Sequence, residues 1–236
     1  MIDSYIVIDL ETTGLSPQDD RIIEIGAVKV VNGEIIEKFS CLVNPEREVS
    51  SRITELTGIT QEMVDNEPKW ADICGKLYEF LGDYVLIGHN INFDYSFLKV
   101  NFYRMNYSFE RKGIDTLKIA RCLHKELPSR SLASMCNYYD IHNRAAHRAL
   151  ADVEVTNCLY QKFVEQHYQT TPELFEATPF QYKVKKEEPI TKRQKMYLLD
   201  LLKYHKIDNV QNVEELTKSK ASKMIDQIIF QYGRMQ

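Results

Sequence analysis

The stretch YIVIDLETTGL, residues 5–15, narrows most sharply what this chain can become. Side chains alternate along an extended strand, so Val7, Asp9 and Glu11 point one way and Ile6, Ile8 and Leu10 the other. Apolar residues on both faces call for cover on both sides, which predicts a strand inside an α/β sandwich. The strand ends with Asp9 and Glu11 on one face, each raising the cost of ionising the other. Such a pair needs positive charge nearby.

The following segments build out the sheet. RIIEIGAVKVV meets EIIEKFSCLV across Asn32-Gly33, a two-residue hairpin signal. The first connection, TTGLSPQDD, is short and turn-rich, so residues 5–43 read as an antiparallel three-stranded meander. From Ser51 the pattern turns helical, with PKWADICGKLYEFLGD opening on Pro68 and closing near Gly82. YVLIGHN reads as a buried strand, followed by a helix from about Phe93, capped by Asn92, to Met105. GIDTLKIARCLH is a brief strand entering a helix capped by Asp115. SLASMCNYYDI is a helix capped by Ser131, and HRALADVEVTNCLYQKFVEQHY is a long helix. Strands first and then alternating helices and strands predict an α/β domain on a mixed five-stranded sheet flanked by helices.

Beyond Gln169 the character changes. Residues 170–190 hold prolines and a charge run, and read as a linker. Residues 191–236 carry two amphipathic helices, marked by Leu198/Leu202 and Ile225/Ile229, and form a small basic helical module. The expected division is therefore 1–169, 170–190 and 191–236. The formal net charge of −4 conceals this asymmetry, since 12 Lys/Arg face 7 Asp/Glu from Gln181 onward. An acidic body with a basic tail suits a metal-dependent enzyme acting on a polyanion. No apolar run approaches the roughly 20 residues that span a bilayer, and the start MIDSYIVIDL lacks a basic leader region. The five cysteines form no C-x-x-C pair and read as reduced core thiols of a cytoplasmic protein.

Three further residue groups join Asp9 and Glu11. GHNINFDYSFL places Asp94 at a strand–helix junction, where ligands gather in open α/β sheets. HRALAD sets His147 five residues before Asp152, about 140° apart on a continuous helix, so they share a site only if His147 precedes the helix proper. Asp115 reads as a helix cap and is left outside the site. Taken singly these groups are common: paired acids line solvated faces, and Asn and Asp cap helices. Their ordered combination, D-x-E-T-T-G, then N-x-N-F-D, then H-x4-D, resembles the DEDDh exonucleases, the DnaQ-like 3′-to-5′ enzymes of the ribonuclease H-like superfamily. The resemblance covers roughly residues 4–168. ITELTGIT and VVNGEIIEKFSCLVNP look especially like the proofreading exonuclease domain of bacterial DNA polymerase III, of epsilon or PolC type. The tyrosine subgroup would need Tyr at position 148, which is Arg148 here.

The resemblance implies a ribonuclease H-like fold, with Asp9, Glu11, Asp94 and Asp152 as metal-binding carboxylates and His147 as general base. It also sets Thr13, Leu15, Thr57 and Phe93 against the 3′-terminal nucleotide. The chemistry asks for the same residue types. All-oxygen ligands favour two divalent cations, Mg²⁺ or Mn²⁺, over zinc, and such ions stabilise the entering and leaving oxygens of a phosphodiester. A histidine with an ordinary pKa of about 6.5 is mostly neutral and basic near pH 7. The expectation is release of nucleoside 5′-monophosphates from nucleic acid with a free 3′ end, with a DNA polymerase or another replication or repair protein as a partner. A ribonuclease or oligonucleotide-degrading enzyme of the same family is the alternative, and a non-catalytic nucleic-acid-binding module the rival from another class.

Overall fold

In the computed structural model, residues 2–142, 148–185, 188–207 and 212–235 are described. The chain divides into two compact units, Met1–Val184 and Lys185–Gln236. The first unit opens with β1 (Ser4–Thr12), β2 (Ile22–Val31) and β3 (Glu34–Leu42), an antiparallel meander. Asn32 and Gly33 both take positive φ, as a tight hairpin of this hand requires. Helices α1 (Ser51–Thr57), α2 (Gln61–Val64) and α3 (Trp70–Leu81) follow, then β4 (Val85–Gly88), α4 (Asn92–Arg104), β5 (Lys112–Asp115), α5 (Thr116–Leu123), α6 (Leu132–Tyr138) and α7 (Ala149–His167).

β4 pairs with β1 in parallel, and β5 with β4 likewise. A sixth strand, β6 (Thr178–Pro179), adds antiparallel to β5, giving the order β3-β2-β1-β4-β5-β6. The sheet is thus the expected mixed α/β sheet with one strand more than the sequence pattern indicates. β1 lies inside it, with apolar layers on both faces. Ile6, Ile8 and Leu10 join a cluster with Leu77 and Leu81 of α3 and Phe97 and Leu98 of α4. Tyr5 and Val7 join a second cluster with Ile119 of α5, Met135 of α6, and Val153 and Phe163 of α7.

Three local expectations change. Only Cys74 and Cys136 are buried core thiols, while Cys122 of α5 and Cys158 of α7 lie on helix faces turned to solvent and Cys41 is half-buried. Asn92 is the first residue of α4, whose N-cap is Ile91 without a side-chain cap bond, so Asn92 is not the cap. Residues 170–184 of the stretch read as a linker also belong to the first unit. Pro172–Phe175 forms a 3₁₀ turn that buries Phe175, and Phe180 stacks on Tyr95 with ring centroids 4.3 Å apart. Two aromatic rings outweigh the local turn chemistry once the sheet offers them a surface. Caps at Asp115 and Ser131 form as read: Asp115 accepts from the Leu117 amide and Ser131 from the Ser134 amide.

The second unit contains α8 (Lys192–Tyr204) and α9 (Lys218–Tyr232). Thr191 and Gln194 form a reciprocal capping box at the start of α8. Leu198, Leu201, Leu202, Val213 and Ile228 make its core, while Met196, Leu199 and Phe230 stay exposed. Among the described residues, no helix is long and apolar enough to cross a membrane.

Candidate functional site

The site grows from the register of β1 against β2. Tyr5 faces Val30, Val7 faces Val28, Asp9 faces Gly26 and Glu11 faces Glu24. This face therefore changes from apolar to acidic along its length, and α7 lies over it. At the apolar end Tyr160 meets Tyr5 edge-on, with centroids 5.2 Å apart, and the Tyr5 hydroxyl donates to Asn157 Oδ1 at 2.9 Å. At the acidic end, any Cβ on Gly26 would overlap the backbone of Ala149 and Leu150, so only glycine lets the first turn of α7 come this close. That approach carries Asp152, in the first turn of α7, to β1.

Asp9, Glu11 and Asp152 each present a carboxylate oxygen within 4.8 Å of the others. Asp94 arrives from the first turn of α4, on the other side of β1, where its Oδ1 accepts the Leu10 amide at 3.0 Å. Asp9 and Glu11 are half-buried, while Asp94 and Asp152 are buried. Packing this much acid together moves the protonation equilibria. Burial pushes the Asp9 carboxyl up, and Asp94, Glu11 and Asp152 push it further. Burial pushes Asp94 up too, against the pull of backbone amides at Asp94 and Leu10. Glu11 rises to about 7 through burial and the charges of Asp152 and Glu24, opposed by Arg148. The cluster is one that cations would relax, and its all-oxygen donor set fits hard divalent ions such as Mg²⁺ or Mn²⁺.

The remaining sequence-selected residues fall differently. Thr13 and Leu15 lie in the turn after β1. The Thr13 hydroxyl accepts from the Arg21 amide at 3.0 Å, and Leu15, four residues after Glu11, is 85% exposed, an apolar side chain left in solvent. Phe93 is half-buried beside Phe97, one residue before Asp94. Thr57 ends α1, buried, with its hydroxyl donating to the Ile53 carbonyl and accepting from the Ile59 amide. His147 lies outside the described residues. α7 begins at Ala149, after it in sequence, as a shared site for His147 and Asp152 requires.

Glu24 is the residue that sequence reading passed over. It is 3% exposed, directly across from Glu11, and bound by Arg148 through Nε at 3.0 Å and Nη2 at 2.8 Å. The signal was available: a lone carboxylate inside the apolar strand IIEIGAVKVV, at a position where alternation and burial both ask for an aliphatic residue.

Residues 6–160 match the model of the family described as Exonuclease, RNase_T. The chain is 43% identical over 163 residues to the DNA polymerase III PolC-type of Thermotoga maritima, and 41% identical over 165 residues to that of Bacillus subtilis. Each match covers 69% of this chain and 12% of the relative, so the chain spans about an eighth of the length of these relatives. Among solved structures, Exonuclease X in complex with 5′-overhanging duplex DNA aligns with TM-score 0.59 and 27% identity, over 72% of this chain and 96% of that one. E. coli Exonuclease I in complex with a dA16 oligonucleotide shares the fold at TM-score 0.66 and 21% identity, over 74% of this chain and 43% of that one.

Proposed function

Because this chain belongs to the RNase T exonuclease family, hydrolases of 3′-to-5′ polarity on a ribonuclease H-like fold, we propose that it removes nucleoside 5′-monophosphates from the 3′ ends of DNA with the help of divalent cations. The supporting observation is the convergence of Asp9, Glu11 and Asp152 within 4.8 Å, from a strand and a helix far apart in sequence. Asp9, Glu11 and Asp152 would hold one cation and Asp94 would join Asp9 at a second. Bound there, Mg²⁺ or Mn²⁺ supplies charge neutralisation at the phosphodiester and Lewis-acid assistance to water.

The protein's own residues supply the rest. Asp94, fixed by the Leu10 amide, ties the start of α4 to the end of β1, the strand that carries Asp9 and Glu11. Leu15, exposed in the turn after β1, and Phe93, next to Asp94 in sequence, would offer apolar surface to a terminal base, and stacking contributes about 1–3 kcal/mol per base with little regard to sequence. Thr13 would contact the terminal nucleotide through its main chain, and the same role is proposed for Thr57. His147 is assigned the proton of the attacking water, on the family resemblance and its place just ahead of α7.

DNA is favoured over RNA because Exonuclease X and Exonuclease I are solved on DNA. The catalytic work is assigned to the first unit. The second, with 11 Lys/Arg against 7 Asp/Glu from Lys185 onward, is a separate basic module. Proofreading would take place on 3′ ends left by a DNA polymerase, in the cytoplasm, where the free thiols stay reduced. Matched 3′-labelled DNA and RNA single strands, incubated with Mn²⁺ or with EDTA, test the reading. Release of labelled mononucleotide from DNA only with Mn²⁺ is expected. Cleavage that survives chelation overturns the metal requirement, and faster cleavage of RNA moves the substrate class to RNA.

A further inference from the structure

Glu24 stands next to the acidic cluster yet differs from its members in how its oxygens are used. Oε1 accepts from Arg148 Nε and Nη2 at 3.0 and 2.8 Å, and Oε2 accepts from Arg148 Nε at 3.3 Å and the Ala149 amide at 3.0 Å. Both oxygens are engaged by protein donors, which leaves Glu24 poorly suited to bind a cation itself.

α7 has a use for those oxygens. Its N-cap residue is Arg148, whose side chain carries only donors and makes no cap bond. The amide of Ala149 is one of the groups a helix leaves unpaired at its start. Glu24 pairs it from the neighbouring strand, and a carboxylate there also faces the positive end of the helix dipole. Two residues along the same face, Gly26 admits the Ala149–Leu150 backbone. Close approach at Gly26 and hydrogen bonds at Glu24 thus fix one turn of helix on β2, and Asp152 is in that turn.

Resting on the reading that Asp9, Glu11, Asp94 and Asp152 hold divalent cations, we propose that Glu24 is a positioning residue that caps α7 from β2 and, clamped by Arg148, sets Asp152 against Asp9 and Glu11. The clamp also resolves an electrostatic conflict. Glu11 and Glu24 are cross-strand partners, and like charges directly opposite oppose pairing. The planar fork of Arg148 neutralises Glu24 with a geometry that the ammonium of lysine does not reproduce. Because Arg148 follows His147 in sequence, the same contact fixes the point at which the chain enters α7.

The test compares wild type, Glu24→Gln, Arg148→Lys and the double variant by thermal unfolding, by calorimetric Mn²⁺ titration without substrate, and by kcat and KM on a labelled DNA strand. Glu24→Gln is expected to fold, to bind Mn²⁺ more weakly, and to lose about 10- to 100-fold in kcat with KM within about twofold, the scale of outer-shell partners of metal ligands. Arg148→Lys is expected to lose less on both measures. The double variant should fall no lower than the worse single one, since both changes break one contact. Unchanged Mn²⁺ affinity and kcat in folded Glu24→Gln overturns the positioning role, as do additive losses in the double variant. If Glu24→Gln does not fold, Arg148→Lys carries the comparison, and its equality with wild type overturns the role. Wild type that neither binds Mn²⁺ nor cleaves overturns the underlying metal-site reading instead, which separates the two failures.

Discussion

At the scale of single residues, the fold gathers acids whose charges oppose one another, and this tension is measurable before any substrate is added. Glu11 is raised to about 7 from its ordinary 4.5. A carboxyl raised on folding contributes stability that is fully present below pH 4.5 and lost as the pH climbs through about 7. In EDTA the melting temperature should therefore fall between pH 5 and pH 8, and saturating Mn²⁺ should remove most of that slope. A slope in EDTA that Mn²⁺ leaves intact would place the titrating groups elsewhere. Asp9→Asn separates charge from catalysis. It should raise the melting temperature in EDTA at pH 8 and lower turnover beyond the roughly 10- to 100-fold typical of outer-shell losses. Circular dichroism melts and mononucleotide release read the two effects. Asp9 and Glu11 were legible in the sequence because alternation alone puts them on one face of a strand. Glu24 stands out only as an acid inside an apolar strand, and its role stays hidden because it comes from Arg148, more than a hundred residues away.

At the scale of elements, what could be read from sequence was what announces itself locally. The Asn32-Gly33 turn, the two-sided apolar strand and the caps at Asp115 and Ser131 each rest on neighbours a few residues apart. β6 gave no such signal. A two-residue strand has no period, and the prolines and charges around it look like a linker until Phe175 and Phe180 find surfaces made by α7 and α4. Phe175 is 3% exposed, so Phe175→Ala should cost about 3–5 kcal/mol in urea unfolding, the range for truncating a buried aromatic. A loss below about 1 kcal/mol would return this segment to the status of a tether. The start of α4 shows a subtler limit: Asn92 has the chemistry of a cap, but the helix begins one residue earlier than that role requires.

At the scale of the molecule, the first unit is acidic and the second is basic, a contrast visible in the sequence and carried over into two separate cores. Cutting the chain after Val184 should leave the melting transition of the first unit and its kcat on short oligonucleotides close to wild type. Affinity for longer DNA should drop at about 50 mM salt, with the difference closing near 200 mM, as expected when lysines and arginines release counterions from phosphates. Equal affinities at both salt concentrations would assign the second unit to something other than nucleic acid. The sheet of the first unit bears on how copies of the protein behave when crowded. On one side β6 consists of Thr178 and Pro179, and proline offers no amide to an incoming strand. On the other side β3 places Glu34, Glu37 and Lys38 along its rim, charges that a second copy would have to bury or match. Neither border is a template for strand-by-strand growth, so concentrated preparations should stay clear of fibrillar association even though six strands are assembled side by side.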